Sequence, residues 1–263
     1  MSKHFESPRE DDTSTCTAAA EAYRSECLPP EHFISRSPLM LSKGANIDDY
    51  RLLYKLRYQV YCHEANFLDP EDYCDGLEFD AFDAFSEHFM ATTPDSNHEI
   101  VGTVRLVKWS EQLSFPTAMH FEALLQELDR LNFPLDSTAE ISRLCISKHY
   151  KRRPFEGLQA DEGYTEISKQ RRDNPDIILE LFKILYCSSR YDLGITHWIA
   201  SFEDPLCRLL HRYGVHLELL SSEEIDYYGK VKIYGASIDQ VEENMKMHRP
   251  EIYEFICEQH NHA

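Results

Sequence analysis

The sequence predicts a mixed α/β (α+β) fold, a central mixed sheet flanked by helices in three αβα layers. Three observations predict it. A helix-period segment opens at residue 46, strand-period segments follow at 86–92, 99–108 and 139–147, and a long amphipathic segment at 176–193 leads into a short apolar strand at 196–202. Helix, strands, a central strand, then helix, strand and helix is the order of a layered mixed architecture.

The bulk properties bound what that fold can do. The chain has 263 residues, enough for one large domain or one domain with extensions, and 42% of them are hydrophobic against 28% charged, which is enough to build a core. A net charge of −19 argues against broad phosphate-backbone binding, so no nucleic acid partner is expected. No stretch reaches the ~18 apolar residues that span a bilayer, so no transmembrane segment is expected. The first residues, Met-Ser-Lys-His-Phe-Glu-Ser-Pro, carry no apolar leader core. Eight cysteines form no C-x-x-C and match no zinc module, so they read as free thiols of a cytoplasmic protein with no metal site.

The elements follow in order. Residues 1–42 are rich in Ser, Thr, Pro, Asp and Glu and read as a flexible N-terminal arm, leaving 43–263 as the folded domain. Asn46 caps a helix through about Glu64, with Asp48 and Asp49 in its first turn. That helix carries one apolar stripe, Leu53, Leu56 and Val60, and beside it a polar-aromatic stripe, Tyr50, Tyr54, Arg57, Tyr61 and Glu64. Strands at 86–92 and 99–108 are followed by a helix at 121–131, the central strand at 139–147 and a polar excursion at 151–175. The helix at 176–193 and the strand at 196–202 lead to a short helix at 205–213, ended by Gly214. Strands at 215–220 and 230–236 pair, and a last helix runs from 238 to 259.

The residues that invite chemistry are concentrated between 57 and 144. Residues 62–100 hold eleven acids and no Lys or Arg, and within them Glu78, Asp80 and Asp83 alternate with Phe79, Phe82 and Phe85. Carboxylates interleaved with large aromatics are seldom a mere solvated loop, because the aromatics must bury. Arg57, Arg105 and Arg143 set against Glu64, Glu78, Asp80, Asp83 and Glu140 would make a buried ion network. Dinucleotide, P-loop, nucleophile-elbow and zincin signatures are all missing.

Five pieces stand in order: Arg57-x-x-x-Tyr61, Phe67, Glu78-x-Asp80-x-x-Asp83, Gly102-x-x-Arg105-Leu106 and Glu140-x-x-Arg143-Leu144. In order and spacing they resemble the autoinducer (acyl-homoserine-lactone) synthases of the GNAT superfamily. Those enzymes carry R-x-x-x-F, a Trp ten residues after that Arg, E-x-D-x-x-D, an R-L pair and E-x-S-R. Tyr61 stands where that family has Phe, and Phe67 where it has Trp. These departures, the long arm and the excursion look closer to N-acyl amino acid synthases and to acyltransferases associated with bacterial PEP-CTERM/exosortase systems.

The resemblance implies a GNAT-like sheet and an N-acyltransferase that moves a fatty acyl chain from an acyl carrier protein to a small amine, an amino acid or derivative. Acyl-CoA is the other donor implied, and no permanently bound cofactor is. An acyl-homoserine-lactone synthase using S-adenosylmethionine and a non-catalytic acyl-carrier or lipid-binding module are the competing readings. An amine attacks a thioester only when neutral, so a buried carboxylate is needed to take its proton. Glu140 is the candidate base, with Arg143 and Arg105 beside it as candidate catalytic residues; the structural alternative is that Glu140 merely pairs with Arg143 or Arg105. Residues three apart on a regular strand face opposite ways, so Glu140 and Arg143 share a site only across a β-bulge.

Between residues 141 and 155 lie Arg143, Lys148, Lys151, Arg152 and Arg153 and no acid. In so acidic a chain that island reads as an anion-docking surface for the acyl donor, or else as a solvated loop balancing Glu156 and Asp161. The glycine-bearing pyrophosphate loop usual for coenzyme A in GNAT folds is absent there, which favours a carrier protein. The acyl chain is expected against Phe82, Phe85, Phe89, Trp109 or the strand at 196–202. Cys145 and Cys62 are conceivable acyl-cysteine nucleophiles, against the commoner role of small apolar fillers.

Overall fold

Asn46 starts the first helix as its residue types demand: the Asn46 side chain accepts from the backbone N–H groups of Asp48 and Asp49 at 2.9 and 3.1 Å. The computed structural model describes residues 39–94, 98–150 and 177–257, all within a unit spanning 35–263. Helix α1 runs Ile47–Tyr58 and buries Leu53 and Leu56, as the apolar stripe requires. It does not continue as a regular helix to Glu64. Gln59–Glu64 widen into a π-helical turn, a form concentrated at functional sites. Two contacts reach outward from that turn: the Tyr61 hydroxyl donates to the Leu144 carbonyl at 3.4 Å, and Glu64 accepts from the Lys148 backbone N–H at 2.9 Å.

The sheet contains β1 (Met40–Lys43), β2 (Ser86–Thr92), β3 (Ile100–Lys108), β4 (Thr138–Ile146), β5 (His197–Phe202), β6 (Glu218–Asp226) and β7 (Lys230–Ser237). Their order across the sheet is β1-β2-β3-β4-β5-β7-β6, with β4 and β5 parallel and every other pair antiparallel. Strand β1 takes in residues 40–42, which the sequence composition places in the arm. Four residues on a sheet edge with no apolar alternation give no strand period to read. Strand β6 extends to Asp226, well past 220, because its Ser221–Glu224 stretch is polar edge and carries register shifts.

Two helices cover opposite faces of β3. Gly102 lies under α3 (Ile177–Cys187), where an added Cβ would come to 3.0 Å from Ile177 and 3.1 Å from Leu181, so any larger residue would push the helix side chains aside. Arg105, of opposite parity on the strand, points toward the α1 side. The short helix α2 (Leu124–Arg130) begins later than 121, and a 3₁₀ turn at Pro116–Met119 precedes it. Helix α4 is Asp204–Arg212. The last helix is two: α5 (Ile238–His248), opened by a Ser237–Gln240 capping box, and α6 (Pro250–Cys257). Pro250 cannot donate to the preceding turn, which breaks the helix at Arg249.

Strand β4 is the centre of the molecule, and two irregularities there make room for a site. Its ladder with β3 pairs Arg105 with Ser142 but Thr103 with Cys145, leaving Arg143 and Leu144 opposite one residue. This is the bulge that the spacing of Glu140 and Arg143 demands, and Arg143 adopts φ +51° there. The ladder between β4 and β5 ends at Ile141–Ala200, so the two parallel strands separate beyond it. No helix among the described residues is long and apolar enough to cross a membrane. The excursion at 151–175, with Lys151, Arg152 and Arg153, and the arm through residue 38 lie outside the described residues.

Candidate active site

Three arginines and three carboxylates from four chain segments meet on the α1 side of β3 and β4. Arg57 bonds Glu78 through Nε and Asp83 through Nη1 and Nη2 at 2.7 and 3.2 Å. Arg105 Nη1 contacts Asp80 at 2.6 Å and Asp83 at 2.9 Å, while its Nε donates to Ser142 at 3.0 Å. Arg143 contacts Glu78 at 3.0 Å and Asp80 at 2.9 Å through Nη2. The Glu78-x-Asp80-x-x-Asp83 segment folds onto itself to present these oxygens. The Asp80 N–H donates to Asp83 at 2.7 Å, and the Phe82 N–H donates to Asp80 at 2.9 Å. Burial alone would raise the Asp83 carboxyl, but Arg57 and then Arg105 hold it well below the usual carboxylate range. Burial is the largest single influence on Arg57 and Arg143 and works against their charge, but the neighbouring groups together, Glu78 foremost, outweigh it and raise both.

Glu64 and Glu140 stand apart from this network. Glu64 accepts from the Gln59 amide at 2.9 Å and from Lys148 N–H, so it ties the π-helical turn to the chain after β4 instead of pairing with Arg57. Lys148 itself is exposed. Glu140 is 1% exposed, and its two oxygens accept from one residue: Thr117 N–H at 3.0 Å and Thr117 Oγ1 at 3.0 Å. Burial pushes the Glu140 carboxyl up to about 7; the two Thr117 bonds, and more weakly Arg105 and Arg143, oppose that shift.

A cavity of about 220 Å³ opens where β4 and β5 separate. Glu140, Ser201, Arg143 and Tyr228 give it a polar side. Phe182, Phe202, Leu206, Leu210, Leu217 and Val231 give it an apolar one. Tyr61 and Phe67 also line it, with ring centroids 6.4 Å apart. Of the residues expected to meet an acyl chain, only the β5 strand reaches the cavity. Phe82, Phe85, Phe89 and Trp109 do not line it: Phe89 is core, Phe85 points to solvent, and Trp109 packs on Phe115. Neither Cys145 nor Cys62 lines it. Cys145 packs with Leu56 and Val60, and burial raises the Cys62 thiol, which leaves it a weak nucleophile.

Several residues at this site gave no warning in the sequence. Thr117 sits in the unpredicted 3₁₀ turn. Tyr227 and Tyr228 form the tip of the β6–β7 hairpin and reach Arg143 with their hydroxyls at 3.5 and 3.3 Å. Arg143 lies 4.8 Å over the Tyr228 ring, and Tyr228 too has positive φ, +56°. Left-handed backbone at two bulky residues in mutual contact costs roughly 1–3 kcal/mol each and collects at functional sites. The Tyr-Tyr-Gly turn was the one available signal.

Residues 56–159, the segment that carries the ion network and Glu140, match the model of an acetyltransferase (GNAT) domain. Three solved structures share the fold. A CoA-dependent acyl-homoserine lactone synthase, BjaI, solved with SAM and isopentyl-CoA, is 18% identical over 81% of this chain and 89% of its own, with TM-score 0.54. FeeM, an N-acyl amino acid synthase from uncultured soil microbes, is 10% identical over 80% and 96%, with TM-score 0.54. The AHL synthase LasI is 14% identical over 76% and 90%, with TM-score 0.50. No curated protein sequence matches this chain.

Proposed function

From the premise of a GNAT acyltransferase domain, we propose that this protein transfers a fatty acyl chain from a phosphopantetheine thioester to the amine of a small acceptor, an amino acid or derivative. One observation carries the reading: a buried carboxylate with its ionisation near neutrality, Glu140, on the wall of an apolar cavity. An α-amino group of pKa about 8 arrives largely as ammonium and cannot attack. A carboxylate titrating near the working pH takes that proton and can give it back to the leaving thiolate. The acyl chain lies along Phe182, Phe202, Leu206 and Leu217. The thioester carbonyl sits against the main chain of Ser142–Leu144, where the bulge and the end of the β5 ladder bring backbone to the cavity wall. Arg143 and Arg105 hold the bulge in its strained form rather than meeting the reacting atoms. Lys148, with Lys151, Arg152 and Arg153, docks the acidic surface of an acyl carrier protein as donor.

The test is incubation of the purified protein with acyl carrier protein and acyl-CoA thioesters across a panel of amines that includes amino acids and S-adenosylmethionine, with products read by mass spectrometry. An N-acyl amide is expected. Lactone with methylthioadenosine would assign it instead as a homoserine-lactone synthase. Tight acyl binding without thioester consumption would make it a binding module. Lys151→Glu with Arg152→Glu is expected to raise the carrier-protein KM, most at low salt, with kcat kept. An unchanged KM would remove the basic island from donor docking.

A further inference from the structure

The hydrogen bonds behind the cavity wall fix a direction. While Glu140 is ionised, Thr117 spends its backbone N–H and its only hydroxyl proton on the two carboxylate oxygens. Its Oγ1 lies 2.7 Å from Ser201 Oγ, and with its own proton committed it can only accept there. The Ser201 proton is therefore committed as well. Ser201 lines the cavity and faces it with lone pairs alone, while Thr117, 1% exposed, lies behind it.

We propose that Ser201, Thr117 and Glu140 form a hydroxyl chain that binds the acceptor amine by an N–H and carries its proton to Glu140. The inference rests on the acyltransfer reading and names its amine subsite. The ammonium N–H bond breaks and its proton passes to Ser201 Oγ; the Ser201 proton passes to Thr117 Oγ1; the Thr117 proton passes to Glu140 Oε1. One N–H bond has become one O–H bond on Glu140, and the amine nitrogen keeps its electron pair for attack on the thioester carbon. The two hops after the first, Ser201 to Thr117 and Thr117 to Glu140, cover hydrogen bonds already in place, 2.7 Å and 3.0 Å long. The transfer also reverses the chain. Protonated Glu140 now donates to Thr117, Thr117 to Ser201, and Ser201 to the cavity. The wall thus offers an acceptor to the incoming ammonium and a donor to the sulfur or oxygen that carries negative charge afterwards. The other titratable groups facing this chain are Arg105, Arg143 and Tyr227.

The experiment compares wild type with Ser201→Ala, Thr117→Val and Thr117→Ser at saturating acyl donor. Ser201→Ala is expected to raise the acceptor KM and lower kcat, reducing kcat/KM for the amine by about 10–100-fold and leaving the donor KM unchanged. The proton inventory in mixed H₂O and D₂O should bow for wild type and straighten for Ser201→Ala. Thr117→Val is expected to lose rate similarly and to shift the Glu140 carboxyl titration, followed by infrared difference against Glu140→Gln, to higher pH. Thr117→Ser should restore both. Amide formation by Ser201→Ala at wild-type kcat/KM, or a loss confined to the donor KM, would overturn the chain and leave the acyltransfer reading standing. Absence of amide formation by wild type would overturn both, and a folded Thr117→Val with an unmoved Glu140 titration would overturn the role of Thr117 independently of turnover.

Discussion

Asp83 and Glu140 are both buried carboxylates, and they end on opposite sides of their ordinary ionisation. Asp83 has two guanidinium groups within 3 Å and is held well below the carboxylate range. Glu140 has the hydroxyl and N–H of one threonine and is pushed up to about 7. Burial disfavours charge at each; the partner decides the outcome. A charge neutralised by two arginines is a structural rivet. A charge supported only by neutral donors stays poised to gain or lose a proton. The two regions share strand β4, where the bulge turns Arg143 into the first and Glu140 meets the second.

The largest effect should come from breaking the rivet. Arg57→Ala strands Glu78 and Asp83 without their main partner and is expected to cost about 3–5 kcal/mol of unfolding free energy in urea. A loss below about 1 kcal/mol would mean that the network is not a unit.

The pH dependence of stability separates the two carboxylates by sign. Asp83 titrates lower in the folded than in the unfolded chain, so its contribution is present above about pH 4 and is lost as the pH falls further. Glu140 titrates higher when folded, so its contribution is complete below its ordinary value of 4.5 and is lost as the pH rises through about 7. That decline is worth roughly 3 kcal/mol at about 1.4 kcal/mol per unit, and Glu140→Gln should abolish it in urea unfolding between pH 5 and 8. An identical profile in the variant would show that Glu140 is not the titrating group. The smallest expected change is the stability of Glu140→Gln at pH 7, within about 1–2 kcal/mol of wild type, because the amide still accepts one bond from Thr117. A loss as large as that of Arg57→Ala would move Glu140 into the network.

Much of the network was legible because its residues carry their own contradiction. Acids among phenylalanines, and arginines on apolar strands, cannot remain unpaired once buried. The bulge was legible too, since Glu140 and Arg143 are three apart and strand parity forbids a shared face. Thr117 was not, because the 3₁₀ turn that presents it has no periodicity and a lone threonine bears no charge to balance. The placement of β7 between β5 and β6 was equally hidden: a hairpin shows its own pairing but not which of its strands joins the sheet. The widening of α1 into a π-helical turn left the spacing of Tyr61 and Glu64 looking helical, and so suggested an Arg57–Glu64 neighbourhood that Glu78 fills instead.

The central claim is that Glu140 removes the acceptor's proton. It is tested most directly by the pH profile of kcat for amide formation in wild type and in Glu140→Gln, measured on protein whose folding is verified at each pH. Wild-type kcat should rise tenfold per unit below about pH 7 and level above it, as Glu140 ionises. Glu140→Gln should be about 10²–10⁴-fold slower and lack that inflection. A variant that keeps wild-type kcat, or the wild-type inflection, would contradict the account.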